Sequence, residues 1–280
     1  MTGRPLSRRR TLKSAVGAAA LTVTAAAGAP SAAASAGPDA EQTEKPTVVL
    51  VHGAFADAAS WNPVTERLQH QGHPVIAAAN PLRGLTHDAA QVAARLAAIP
   101  GPGVLVGHSY GGAVVTQAAA TAPNVKALVY VSAFVPDAGE VLGELAARFP
   151  GSQLDAALTP VPVPGADGTT AIDLYIRPDR YHEVFAQDVA PPTTRVLASG
   201  QRPLSASAFT DRVSGAAWHT VPSWTLISTR DRGIVPELQR FQAARARSRT
   251  VEVPTSHLPM YSRPGAVVAL IRSAARTVTA

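Results

Sequence analysis

The chain has 280 residues, 46% of them hydrophobic, which is enough for one sizeable core and too little for a second full domain. It contains no cysteine, which excludes a disulfide framework, thiolate metal sites and a thiol nucleophile. A formal charge of +6 would suit nucleic acid or an anionic membrane, but five of the 25 Lys and Arg lie in residues 1–36, which hold none of the 19 Asp and Glu. The remaining 20 basic against 19 acidic side chains are nearly neutral, so no nucleic-acid partner is expected.

Residues 1–36 read as a targeting segment. Arg4, Arg8, Arg9, Arg10 and Lys13 precede an uncharged Ala/Val/Leu run from Ser14 to Ala29, a basic n-region followed by an h-region. Ser7 to Lys13 resembles a twin-arginine export signal, with Thr11 where an aromatic residue is usual. Ala34, Ser35 and Ala36 supply an A-x-A cleavage site, so an exported mature chain would start near Gly37 with a flexible leader over 37–46. The apolar run is too short to span a membrane, so no stable insertion is expected after cleavage.

From Thr47 the pattern becomes short apolar runs alternating with helical stretches, the mark of a doubly wound, mostly parallel α/β sheet over 47–280. Strands are expected over 47–51, 74–78, 104–106, 127–131, 224–228 and 250–253. Helices are expected over 62–71, 88–99, 112–122, 237–246 and 263–276. Between about 137 and 212 the strand rhythm stops and Pro, Gly and Asp become frequent, which reads as an insertion over the sheet edge. Its Leu174, Tyr175, Tyr181 and Phe185 either roof a pocket or pack an ordinary surface helix.

The most specific motif is Val104-Leu-Val-Gly-His-Ser-Tyr-Gly-Gly112, a G-x-S-x-G placed after a strand and before an Ala-rich helix. That context makes Ser109 a nucleophile on a strained turn, with Gly107 and Gly111 keeping side chains out of the way. Upstream, Val48-Val-Leu-Val-His-Gly-Ala-Phe55 again runs a strand into a turn. A tetrahedral intermediate needs two backbone N–H donors; Tyr110 supplies one and Ala54 the other, with Phe55 as the alternative. His52 reads as a turn-stabilising imidazole and His108 as scaffolding of the elbow.

A serine hydroxyl needs a base, and in this arrangement acid and base follow the nucleophile in the order Ser, acid, His. Of the three histidines downstream, His257 alone follows the last strand; His182 and His219 read as surface or packing residues. Asp231 ends the strand before it and is the expected acid, with Asp137, after the preceding strand, as its rival. No H-E-x-x-H, clustered His with carboxylates or phosphate loop is present, so neither metal nor cofactor is expected.

These motifs together resemble the α/β-hydrolase superfamily, in the branch of plant methyl esterases, hydroxynitrile lyases and related bacterial esterases. The resemblance covers Thr47 onward and rests on residues 52–61, 107–112, 129–137, 229–236 with 239–241, and 256–257. It implies a serine esterase that cleaves small, apolar carboxylic esters. Lyases of this branch carry Thr after the first-motif His and Lys after the catalytic His; here Gly53 and Leu258 stand there, which favours ester hydrolysis. The alternatives are a C–C lyase and a non-catalytic ligand-binding module on the same fold, the second set against by the presence of all three triad members.

Overall fold

Runs of Val, Leu and Ile that can bury both faces become the strands of a parallel sheet. The computed structural model describes residues 45–165 and 168–278. The expected targeting segment and most of its leader lie outside the described residues. In chain order come β1 (Thr47–Val51), α1 (Asn62–His70), β2 (Val75–Ala78), α2 (Leu85–Ala97), β3 (Gly103–His108), α3 (Tyr110–Ala118) and β4 (Val125–Val131). An excursion follows, with α4 (Leu142–Ala147), β5 (Leu158–Pro164), β6 (Thr170–Ile176), α5 (Pro178–Phe185), α6 (Pro191–Ser199) and β7 (Leu204–Ser205). The chain then returns as β8 (Ser223–Ser228), α7 (Pro236–Arg245), β9 (Arg249–Val253), α8 (Pro259–Ser262) and α9 (Pro264–Ala275).

The main sheet has the order β2-β1-β3-β4-β8-β9, every pair parallel. All of β3 and β8 is buried, as is Val48–Val51 of β1. α1 packs with α9 on one face and α2 with α3 on the other, as right-handed crossovers in both directions from β1 require. The strand order reverses between β1 and β3. Sheets of this kind take ligands in the crevice beyond the carboxyl ends of the strands at that reversal, where the loop after β1 meets the turn after β3.

The excursion carries a small antiparallel sheet, β5-β6-β7. Its hairpin was not expected from sequence, because Pro160, Pro162 and Pro164 punctuate β5. The strand is an edge, and its prolines alternate along it, so their missing N–H groups face the open side and cost the ladder nothing. Arg83 pins this sheet to the main body by donating to Asp173 at 2.8 Å and to the Pro203 carbonyl at 3.1 Å.

Candidate active site

Ser109 lies between the end of β3 and the first residue of α3, with φ 55° and ψ −127°. A non-glycine residue in that region is strained, by roughly 1–3 kcal/mol, and is held there by its surroundings. Its N–H donates to the Val131 carbonyl at 3.3 Å, and its carbonyl accepts from Gly112 at 2.9 Å and Phe134 at 3.1 Å. The glycines are required by close approach: a Cβ on Gly107 would lie 2.6 Å from the Gly111 carbonyl oxygen, and one on Gly111 would lie 2.7 Å from that of His52.

The loop after β1 stands against this elbow. His52 is buried, accepts the Asn80 N–H on Nε2 at 3.1 Å and donates from Nδ1 to the Gly53 carbonyl at 2.9 Å. Burial, more than any neighbouring charge, lowers its pKa to about 4, so the ring is neutral and fixes the turn. Phe55 has φ 59° and its N–H donates to the Arg202 carbonyl at 3.0 Å. Among the described residues the N–H groups of Ala54 and Tyr110 meet no such acceptor. The two donors expected from sequence are therefore the unengaged ones, and the alternative, Phe55, is already committed.

At the carboxyl end of β8, Asp231 is buried and fully used. Its Oδ1 accepts from the N–H groups of Gly233 at 2.8 Å and Ile234 at 3.0 Å, and its Oδ2 accepts from Gln239 at 2.8 Å and from His257 Nδ1 at 2.6 Å. His257, after β9, is 1% exposed. His108, joined to Ser109, donates from Nε2 to the His257 carbonyl at 2.8 Å, and the two rings lie 4.8 Å apart. Burial and the neighbouring His257 push the His108 pKa well below the usual histidine range, so it is a neutral spacer between the Ser109 turn and His257. The rival acid, Asp137, instead bonds His219 at 2.8 Å on an exposed edge. His182 pairs with Thr194 at 3.2 Å.

Two residues that hold this arrangement were not singled out for the part they play. Gln239 on α7 bridges Asp231, the Ile234 carbonyl at 2.7 Å and the Ser228 N–H at 3.0 Å. Asp88 on α2 is completely buried and accepts the Tyr110 hydroxyl at 2.8 Å, which anchors the side chain of a proposed oxyanion donor. Burial, then the Asp88 charge, pushes the Tyr110 phenol above its usual range, so it stays a donor. For Asp88 the only signal was a carboxylate near the start of an apolar helix.

A cavity of about 390 Å³ opens on Ser109, Ala54 and Tyr110. Phe134, Phe149, Leu204, Phe209 and Ile234 supply its apolar walls, and no Lys or Arg lines it. Its roof comes from α4 and residues 149–155, and none of Leu174, Tyr175, Tyr181 or Phe185 lines it. Tyr181 is turned to donate to the Phe55 carbonyl at 3.1 Å, and the Phe185 ring packs on His257 at 4.6 Å. Among the described residues no group of three or more His, Asp or Glu is arranged to hold a metal ion, and no helix is long and apolar enough to cross a membrane.

Comparison with known proteins places this fold. The profile of the alpha/beta hydrolase family matches residues 48–270. A carbendazim-hydrolysing esterase from Nocardioides sp. (strain SG-4G) is 33% identical over 107 residues, which cover 34% of this chain and 44% of that protein, so the match spans less than half of the relative. Polyneuridine aldehyde esterase superposes with a TM-score of 0.73 at 20% identity over 82% of this chain and 99% of that one. A pyrethroid hydrolase from Sphingobium faniae JZ-2 gives 0.66 at 23% over 82% and 97%, and a methylesterase from Arabidopsis gives 0.69 at 18% over 83% and 99%. At these identities the solved structures speak for the fold.

Proposed function

Because the chain belongs to the alpha/beta hydrolase family, we propose that it is a serine esterase with Ser109, His257 and Asp231 as its triad and the Ala54 and Tyr110 N–H groups as its oxyanion hole. The observation that carries this reading is the buried Asp231–His257 bond of 2.6 Å, beside a strained serine that opens on an apolar cavity. Ser109 Oγ attacks the ester carbonyl while His257 Nε2 takes its proton. The bond from Nδ1–H to Asp231 holds the imidazole tautomer and stabilises the imidazolium. The oxyanion is met by preorganised N–H groups, His257 returns the proton to the departing alcohol, and water repeats the cycle on the acyl-enzyme.

An uncharged, apolar ester suits a cavity lined by four phenylalanines and by no Lys or Arg. The carbendazim-hydrolysing esterase, by its name, acts on a small molecule, which supports a substrate of that size. Cyanohydrin cleavage is disfavoured at Gly53: a Cβ there would stand 2.6 Å from that of Ser109, so the Thr typical of the lyases has no room without movement of the elbow. The test is hydrolysis of p-nitrophenyl acetate and butyrate by the purified chain and by Ser109→Ala. Turnover by the wild type that falls by several orders of magnitude in the variant supports the proposal; equal inactivity of two folded proteins contradicts it.

Export through the twin-arginine route is proposed on residues 1–36 alone. N-terminal sequencing of the protein outside the cell should start at Gly37, and Arg8→Lys with Arg9→Lys should hold the chain inside. Unchanged export of that variant would refute the route.

A further inference from the structure

One stretch of the insertion, between α5 and α6, grips both loops that carry the acid and the base. Phe185 closes α5 with its ring on that of His257, 4.6 Å between centroids and tilted by 45°. Three residues later Asp188 accepts the Ser256 N–H on Oδ2 at 3.0 Å and the Ser256 hydroxyl on Oδ1. Ser256 is completely buried and immediately precedes His257. Between these two contacts, Gln187 Nε2 donates to the carbonyl of Arg230, the residue before Asp231, at 2.6 Å. The Arg232 guanidinium, on the other side of Asp231, donates to the Glu183 carbonyl at 3.0 Å.

His257 needs such support because it follows β9 on residues 254–258, where no strand ladder holds the chain. From the core side His108 holds the His257 carbonyl, and two residues earlier Thr255 is held by the Arg230 N–H at 3.1 Å and the Ser228 hydroxyl at 2.8 Å. Asp188, on the insertion, fixes the backbone one residue earlier. A carboxylate suits that task, since it has two oxygens for the two donors of a single serine, and charge-assisted bonds are about twice as strong as neutral ones. The cost of losing such support is large in this chemistry, since misplacing a reacting group by about 1 Å costs roughly 100-fold in rate.

We propose that Asp188 is a positioning residue: through Ser256 it holds the His257 ring on Asp231 and toward Ser109. The inference rests on the triad reading above. Two readouts separate it from a purely structural role. One is the split between kcat and KM; the other is the far-downfield proton resonance that a short Nδ1–H bond to a buried carboxylate gives in NMR.

In Asp188→Asn one oxygen becomes a donor of the same shape. This variant should lose roughly 10- to 100-fold in kcat with KM unchanged, and its downfield resonance should weaken through faster exchange with water. Ser256→Ala should show a smaller loss of the same kind, and the double variant should be no worse than Asp188→Asn alone, since both remove one linkage. If Asp188→Asn does not fold, Ser256→Ala decides the question. An unchanged kcat and an unchanged resonance in the folded variants would overturn the proposal, as would a loss of melting temperature with neither readout moved. A wild type that hydrolyses no ester would defeat the esterase reading, while the resonance would still report on Asp188.

Discussion

Ser109 is held in a backbone conformation that few non-glycine residues adopt, and its neighbours explain why it persists. Bonds to Val131, Gly112 and Phe134 clamp it, while Gly107 and Gly111 let strand and helix approach within contact distance. The turn and its glycines were legible in the G-x-S-x-G motif, since they are neighbours of the serine in sequence, whereas the bonds to Val131 and Phe134 come from a strand end that only the fold brings near. For the acid the sequence favours Asp231 and keeps a rival, Asp137, at the end of the preceding strand. The structure separates them by partner: Asp231 bonds His257 at 2.6 Å, whereas Asp137 bonds His219. Asp231→Asn is therefore expected to lower kcat by about 10⁴-fold, through the wrong imidazole tautomer, and Asp137→Asn to leave it near wild type. Steady-state kinetics with p-nitrophenyl butyrate checks this, and the reverse pattern would move the acid to the preceding strand. Gln239 and Asp188 were not assigned a role, because their importance comes from segments that approach only in the folded chain.

At the level of elements, the buried strands were readable because each is a continuous apolar run, and all six lie where expected to within two residues or so. The helix boundaries shifted where tertiary contacts decide them. α2 starts at Leu85 instead of Asp88, since Gly84 with φ 127° turns the chain there and the Leu85 N–H is capped by Asp211, far off in sequence, at 2.7 Å. Asp88, now one turn into the helix, accepts the Tyr110 hydroxyl as well as the Arg83 N–H at 3.0 Å, just before the helix start, and pairs with His87 at 3.2 Å. Tyr110→Phe should leave that buried carboxylate one donor short and destabilise the protein by about 1–3 kcal/mol, a shift that urea denaturation would read. No shift would mean that the pair does not link α2 to the elbow. In the insertion, the alternating prolines of β5 hid a hairpin that an edge strand accommodates.

For the whole molecule, strand order does the assembling. The reversal between β1 and β3 sets the loop after β1 against the Ser109 turn, and β8 and β9 bring Asp231 and His257 to the same edge. Two neutral, buried histidines, His52 and His108, are built into that edge, with consequences for stability. Burial lowers His52 to about 4 and His108 well below the usual value, whereas both titrate near 6.5 in the unfolded chain. Below about pH 6.5 the unfolded state binds more protons than the folded one, so their contribution to stability is complete above that pH. It declines as pH falls toward 4, by up to about 1.4 kcal/mol per pH unit for each histidine. Urea midpoints measured from pH 7.5 to 4.5 should fall through this window, and a flat series would contradict the assignment of neutral imidazoles.

Activation of Ser109 as a nucleophile is tested by labelling the folded chain with a fluorophosphonate and mapping the modified peptide. A single label on Ser109, absent from Ser109→Ala and sharply slowed in His257→Ala, is the predicted result. An unlabelled wild type, or a label on another residue, would contradict it.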